Sequence, residues 1–180
     1  VIMHTIHDMA AEGHAYTGFL YTGLMIDEQG QPKVIEYNCR FGDPETQPIM
    51  VRLKSDLLDL CDSALDKTLD QATADWDTRC AIGVVLAAGG YPGSYEKGIP
   101  VQGLDTEQAA NIKIFHAGTS LNGDQVVTSG GRVLCITALG DDIATARRDC
   151  YRAADKTTWD GVTLRRDIGW RAIARYSQGS

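Results

Sequence analysis

Residues 81–88, Ala-Ile-Gly-Val-Val-Leu-Ala-Ala, run without a polar side chain, from just after Arg79 to the paired glycines Gly89 and Gly90. No apolar run in the chain reaches the length of about 20 residues that a bilayer-spanning helix needs. At strand length, unbroken apolar character predicts a strand covered on both faces, and so a sheet with something packed against it. Residues 132–139, Arg-Val-Leu-Cys-Ile-Thr-Ala-Leu, repeat the pattern, and Ile112-Lys-Ile-Phe-His116 alternates. Asn122-Gly-Asp124 is a hairpin turn signal ahead of Gln125-Val-Val-Thr128. Ile143, Ala146, Cys150 and Ala153 recur at helical spacing, with Asp141 or Asp142 placed to cap the helix. This half reads as α+β, a small mixed α/β domain with an antiparallel sheet.

The first part of the chain has a different texture. Tyr16-Thr-Gly-Phe-Leu-Tyr-Thr-Gly-Leu-Met-Ile26 and Lys33-Val-Ile-Glu-Tyr-Asn38 are strand-like and flank a polar turn with Gly30 and Pro32, which predicts an antiparallel hairpin. Met50, Leu53, Leu57, Leu60, Cys61, Ala64 and Leu65 predict one amphipathic helix. The polar stretch from Asp70 to Arg79 marks a boundary, giving domains at 1–78 and 79–180. Gly89-Gly-Tyr-Pro-Gly93 lacks the spacing of a phosphate or dinucleotide loop and reads as a turn.

A formal net charge of -7 over 180 residues does not suit a nucleic-acid-binding surface. Aspartates crowd residues 56–77 and arginines with Lys156 crowd 147–175; both read as solvated faces. The 5 cysteines are dispersed, without metal-ligand spacing. They read as small hydrophobes suited to a reducing, cytoplasmic compartment. No signal-peptide pattern opens the chain. The start at Val1 points to a fragment or a processed chain.

Chemistry concentrates in Ile35-Glu-Tyr-Asn-Cys-Arg-Phe-Gly-Asp-Pro-Glu-Thr-Gln47. Alternation along a strand puts Glu36 and Asn38 on one face. A carboxylate beside an amide oxygen is a hard-oxygen pair of the kind Mg²⁺ accepts. Arg40 would join that face if the strand continued, and its guanidinium can fork onto a phosphate or carboxylate. Asp43 and Glu45 add anions that could hold an amine or orient the arginine. The spacing alone leaves this even with a solvated strand face and a weak surface ion-pair cluster.

The segment around Arg40-Phe-Gly-Asp-Pro-Glu45 closely resembles the signature of the phosphoribosylamine–glycine ligase (glycinamide ribonucleotide synthetase) family of ATP-grasp enzymes. The likeness continues, in order, through Met9-Ala-Ala-Glu-Gly13, Tyr16-Thr-Gly-Phe-Leu20, Gly23-Leu-Met-Ile-Asp27, Ala87-Ala-Gly-Gly-Tyr-Pro-Gly93, Phe115-His-Ala-Gly-Thr119, Gly130-Gly-Arg-Val-Leu-Cys135 and Asp167-Ile-Gly-Trp-Arg-Ala172. The resemblance implies the C-terminal part of an ATP-grasp domain, hairpin plus helix, followed by the family's C-terminal domain. It implies an enzyme of purine synthesis that uses ATP and Mg²⁺ or Mn²⁺. Such an enzyme converts glycine to a glycyl phosphate and joins it to phosphoribosylamine, giving glycinamide ribonucleotide, ADP and phosphate. Carried over, Glu36 and Asn38 ligate the metal, Arg40 stabilises the transferring phosphoryl group, and Asp43 and Glu45 seat glycine's ammonium. Arg132, after Gly130-Gly131 where a backbone can approach a phosphate closely, and His116 are the candidates for the ribose phosphate. A satisfied half-buried histidine is the stronger reading of His116.

The chain departs from the family in places. The ATP lid and the N-terminal half of the enzyme are missing, residues 1–8 fit poorly, and His4 and His7 receive no role. Leu24 stands where other ATP-grasp enzymes often carry an acidic ligand, implying fewer protein ligands or adenine-side packing. The chain alone is expected to bind ATP weakly and not to turn over. The alternatives are another purine-pathway ATP-grasp enzyme, a carboxylase or transformylase, and a non-catalytic folding or interaction module.

Overall fold

The computed structural model describes residues 1–105 and 109–178. The chain forms two compact units, the first of residues 1–46 and 53–75, the second of residues 47–52 and 76–180. Both mix helices with antiparallel strands.

In the first unit, helix α1 (Ile2–Ala11) precedes a two-stranded hairpin of β1 (Tyr21–Ile26) and β2 (Pro32–Asn38). The turn is built by Asp27, whose Oδ1 accepts from the backbone N–H of Gln29 at 3.1 Å and of Gln31 at 2.8 Å. Gly30 takes φ +78°, a conformation glycine adopts without strain. Tyr21 pairs with Asn38, Thr22 with Tyr37 and Gly23 with Glu36; Leu24 then pairs with Val34, so the ladder skips Ile35 as a bulge. Residues 16–20, expected as strand, are irregular instead, with the Tyr16 hydroxyl donating to the Phe19 carbonyl at 2.8 Å.

The single helix expected over 50–65 is two helices, α2 (Thr46–Arg52) and α3 (Leu57–Leu65). The break has a tertiary cause. Lys54 N–H donates to the Asp75 carbonyl at 2.9 Å, and Ser55 Oγ accepts from Asp75 N–H at 2.7 Å, so 54 and 55 are drawn into pairing with 75. Asp56 then starts α3 as its N-cap, accepting from Leu58 N–H at 2.8 Å.

The second unit is built on a sheet of order β4-β7-β3-β8, from β3 (Cys80–Ala87), β4 (Ile112–His116), β7 (Arg132–Gly140) and β8 (Thr163–Leu164). Every pairing is antiparallel. Both long apolar runs lie in the middle of the sheet. In β3, Ile82, Val84 and Leu86 are buried and the residues between them half-buried, whereas β7 is buried from Val133 through Ala138. Helix α4 (Ile143–Ala154) lays Ala146, Cys150, Ala153 and Ala154 into the same core. Its N-cap is Asp142, whose carboxylate accepts from Thr145 N–H at 2.6 Å; these amide bonds hold the carboxyl below its usual range. Strands β5 (Thr119–Asn122) and β6 (Gln125–Thr128) form a separate hairpin, and α5 (Trp170–Gln178) follows.

Several charges expected on solvated faces do structural work. Asp77 is buried and accepts from Arg79 through backbone N–H, Nε and Nη2. Asp149, also buried, accepts from Arg148, Arg152 and Asn111, which lowers its carboxyl well below the ordinary range despite desolvation. Arg147 and Arg166 lie over the ring of Tyr151. Among the described residues, no helix is long and apolar enough to cross a membrane.

Candidate functional site

Strand alternation sets the chemical face of the first unit. Asn38 and Glu36 share one side of β2 and face Tyr21 and Gly23 across the ladder. Glu36 lies over Gly23, where an added Cβ would meet its Cγ at 3.2 Å. The bulge at Ile35 falls immediately before Glu36, leaving 36 and 38 in step with each other. Leu24, the next residue of β1, points to the opposite side from Gly23 and Glu36.

β2 ends at Asn38, so Arg40 does not reach this face by continuing the strand. It arrives by folding back. Its Nη2 donates to Asn38 Oδ1 at 3.2 Å and its Nη1 to the Phe41 carbonyl at 2.8 Å. A fixed guanidinium therefore touches the amide of the metal-ligand candidate. Asn38 Nδ2 is buried without a partner.

The loop beyond is anchored by its side chains. Phe41 packs on Phe19 with ring centroids 4.1 Å apart. Gly42 is buried, and a Cβ there would fall 2.5 Å from Glu45 Oε2 and 2.7 Å from the Tyr21 ring. Thr46 Oγ1 donates to the Gly42 carbonyl at 2.5 Å. The Tyr21 hydroxyl donates to Glu45 Oε1 at 3.3 Å. The Glu45 charge raises the Tyr21 phenol above its ordinary range; desolvation and Glu36 add to this, and Arg40 opposes it. The structure thus brings Glu36, Asn38, Arg40 and Glu45 around one phenol. Asp43 is exposed at the start of the turn and engages in contacts of its own. Tyr21 was not singled out in the sequence, although the hairpin register places it directly across from Asn38.

Among the described residues, no group of three or more His, Cys, Asp and Glu side chains could hold a metal ion. Glu36 with Asn38 is a two-donor set of hard oxygens. Such a set fits Mg²⁺ or Mn²⁺ that keeps water and phosphate oxygens for the rest of its shell, as Mg²⁺ commonly does. Asn38 would ligate through Oδ1; its buried, unpartnered nitrogen is a donor and takes no part in the ligand set.

The two candidates in the second unit are placed differently. His116 ends β4, exposed, with Nδ1 2.9 Å from Thr119 Oγ1. It also edges a cavity of about 330 Å³ with Leu104, Ile112, Lys113 and Ile114. Arg132 opens β7, half-buried and engaged. The glycines before it do make close approaches, but to the chain itself. A Cβ on Gly131 would strike the Tyr91 ring, and one on Gly130 would meet Gly118 at 3.0 Å. Residues 89–93 form tight turns, closed by Tyr91 N–H to the Ala88 carbonyl and Gly93 N–H to the Gly90 carbonyl.

Comparison with known proteins identifies the family. Residues 81–171 match the family model described as Phosphoribosylglycinamide synthetase, C domain, and residues 1–46 match its ATP-grasp (A) domain. A phosphoribosylamine–glycine ligase of Vibrio cholerae is 63% identical over 97% of this chain. The enzyme of the same name from Escherichia coli K12 is 59% identical over 97%. The chain spans 41% of the length of either relative. A crystal structure of the phosphoribosylamine–glycine ligase of Thermotoga maritima superimposes with a TM-score of 0.75 at 36% identity, covering 88% of this chain and 39% of that one. The biotin carboxylase domain of Hydrogenobacter thermophilus 2-oxoglutarate carboxylase aligns at a TM-score of 0.61 and 16% identity, over 86% of this chain and 34% of that one, a likeness of fold alone.

Proposed function

The chain belongs to the phosphoribosylglycinamide synthetase family, and from that premise we propose that it carries the metal and phosphoryl face of an ATP-dependent ligase that joins glycine to 5-phosphoribosylamine. The products are glycinamide ribonucleotide, ADP and phosphate. The observation that carries this reading is the shared face of Glu36 and Asn38 with the Arg40 guanidinium seated on Asn38 Oδ1.

Glu36 and Asn38 would hold Mg²⁺ or Mn²⁺. A divalent ion there neutralises phosphate charge as the phosphoryl group moves to glycine's carboxylate. Arg40 is fixed at both ends of its fork, so its charge is preorganised for the developing oxyanion and needs little reordering during transfer. Glu45, and Asp43 near it, would seat the glycine ammonium and point the carboxylate at the phosphate. The ribose phosphate would be met by Arg132 and by His116, which is exposed and engages Thr119 Oγ1 through Nδ1. In domain terms, 1–78 would be the end of the ATP-grasp domain and 79–180 the C-terminal domain. The free cysteines suit a cytoplasmic setting.

The test is product analysis on this chain together with the rest of a family-length enzyme, offered glycine, formate or bicarbonate. Glycinamide ribonucleotide forming from glycine alone supports the reading. ADP release with formate or bicarbonate, and none with glycine, overturns it. Glu36→Gln is expected to lower metal-dependent turnover by roughly a hundredfold or more, beyond what outer-shell changes at metal sites cost. The chain alone is expected to give no coupled ADP release, since part of a site must meet the full cost of ordering its ligands.

A further inference from the structure

We propose that Tyr21 is a positioning residue: its ring and hydroxyl hold the Glu45 carboxylate at the face presented by Glu36 and Asn38. The role rests on the reading of Glu45 as the seat of glycine's ammonium, and it adds a residue that reading does not contain.

Tyr21 opens β1 directly across from Asn38, so its side chain stands on the Glu36–Asn38 side of the hairpin. Its hydroxyl donates to Glu45 Oε1, and the edge of its ring occupies the space a side chain at 42 would need. The other carboxylate oxygen of Glu45 lies 2.5 Å from the same hypothetical Cβ. Phenol ring, glycine and carboxylate therefore form one packed unit. Gly42 is the only buried residue in the first unit.

Glu45 itself is exposed. A free glutamate samples several rotamers, and freezing one on binding costs affinity. The Tyr21 hydroxyl prepays part of that ordering. Because Tyr21 pairs with Asn38 across the ladder, its hydroxyl ties the loop carboxylate to the strand that bears the metal-ligand pair. Nothing in this arrangement requires Tyr21 to touch substrate.

The discriminating variant is Tyr21→Phe, which keeps the ring and the fit over Gly42 and removes only the hydroxyl. In the family-length enzyme, KM for glycine is expected to rise roughly five- to tenfold, while kcat and KM for ATP stay within about twofold. Combined with Glu45→Gln, Tyr21→Phe should add nothing further. A rise shared equally by ATP and glycine, or full additivity with Glu45→Gln, overturns the proposal. A second readout is independent of turnover. In this chain, three-bond couplings of the Glu45 side chain should report one dominant χ1 rotamer and average toward several in Tyr21→Phe. If Tyr21→Phe leaves those couplings unchanged, the hydroxyl does not hold the carboxylate and the proposal falls, whatever the substrate. If the couplings average but the family-length enzyme does not use glycine, the substrate assignment fails and the Tyr21–Glu45 contact stands.

Discussion

The two units solve opposite problems with similar elements. The second closes a four-stranded sheet against α4 and buries a contiguous core that includes Val84, Leu86, Leu134 and Ile136, all with no exposed surface. The first holds a hairpin and two helices, yet Gly42 is its only buried residue. Its apolar side chains Met25, Ile35, Leu58 and Leu65 are each more than half exposed. The second unit packs a core from its own residues. In the first, a polar face and its turns stand beside apolar side chains that the residues of this chain do not cover. A two-stranded hairpin is marginal by itself in water. The first unit should therefore open readily, and the second should open only with its whole core.

The largest expected effect is in thiol reactivity. Cys39 is exposed, while Cys150 is buried, with its thiol donating to the Ile136 carbonyl at 3.0 Å and pushed by burial up to about 12. Thiolate is the reactive form. Under native conditions iodoacetamide should modify Cys39 about a thousandfold faster than Cys150 or more, since Cys150 waits on opening of the second unit. Mass spectrometry of the labelled chain reads the ratio. Comparable rates would mean the second unit opens as easily as the first, and the contrast would collapse.

Core truncation comes next. Leu134→Ala should cost about 2–5 kcal/mol, the usual range for a fully buried leucine, read as a lower denaturant midpoint at unchanged slope. A cost under about 1 kcal/mol would show that the core relaxes around the gap and is softer than its burial implies.

Asp149 tests whether the buried polar cluster belongs to that core. Asp149→Ala leaves Asn111 Nδ2 with the Leu139 carbonyl alone and removes an acceptor from Arg148 and Arg152. About 1–3 kcal/mol is expected at neutral pH, toward the lower end because both arginines are largely exposed. The sign with pH is fixed by the depressed folded-state pKa. The contribution is present above the ordinary carboxylate range and is lost as pH falls through the lowered value. Wild type and variant should therefore converge in acid; a gap that widens there would place the stabilisation elsewhere.

What was legible in the sequence follows the same division. Residues 81–88 and 132–139 announced central strands by an unbroken apolar signature, which full burial accounts for in β7 and half-burial of the second face in β3. Asn122-Gly-Asp124 announced its hairpin because few residues turn that tightly. Glu36 and Asn38 share a face because strand alternation is a covalent fact. The failures are tertiary. Nothing local in Lys54 and Ser55 says that they pair with Asp75 and split a helix whose apolar spacing runs on through them. Arg40 reaches the site by folding back after β2 ends, which depends on the Asn38 and Phe41 oxygens being in reach. Aspartates at 77 and 149 look like surface charge until their arginines are placed. The Gly130-Gly131 pair signals close approach correctly, but composition cannot say that the visitors are Gly118 and the Tyr91 ring.

The smallest predicted change is the one most able to alter the comparison. Leu58 projects from α3 with 71% of its surface exposed. Leu58→Ala removes little buried area and substitutes a slightly better helix former. Stability should move by no more than about 0.5 kcal/mol in either direction, as for surface positions generally. The measurement is the denaturant midpoint at two protein concentrations a hundredfold apart. An effect above about 1 kcal/mol that is independent of concentration would mean α3 packs against its own chain more tightly than its exposure indicates. An effect that grows with concentration would mean the exposed leucines are covered by a second copy. Either outcome would move the first unit from a bare scaffold for a polar face toward a surface whose apolar residues are themselves in use.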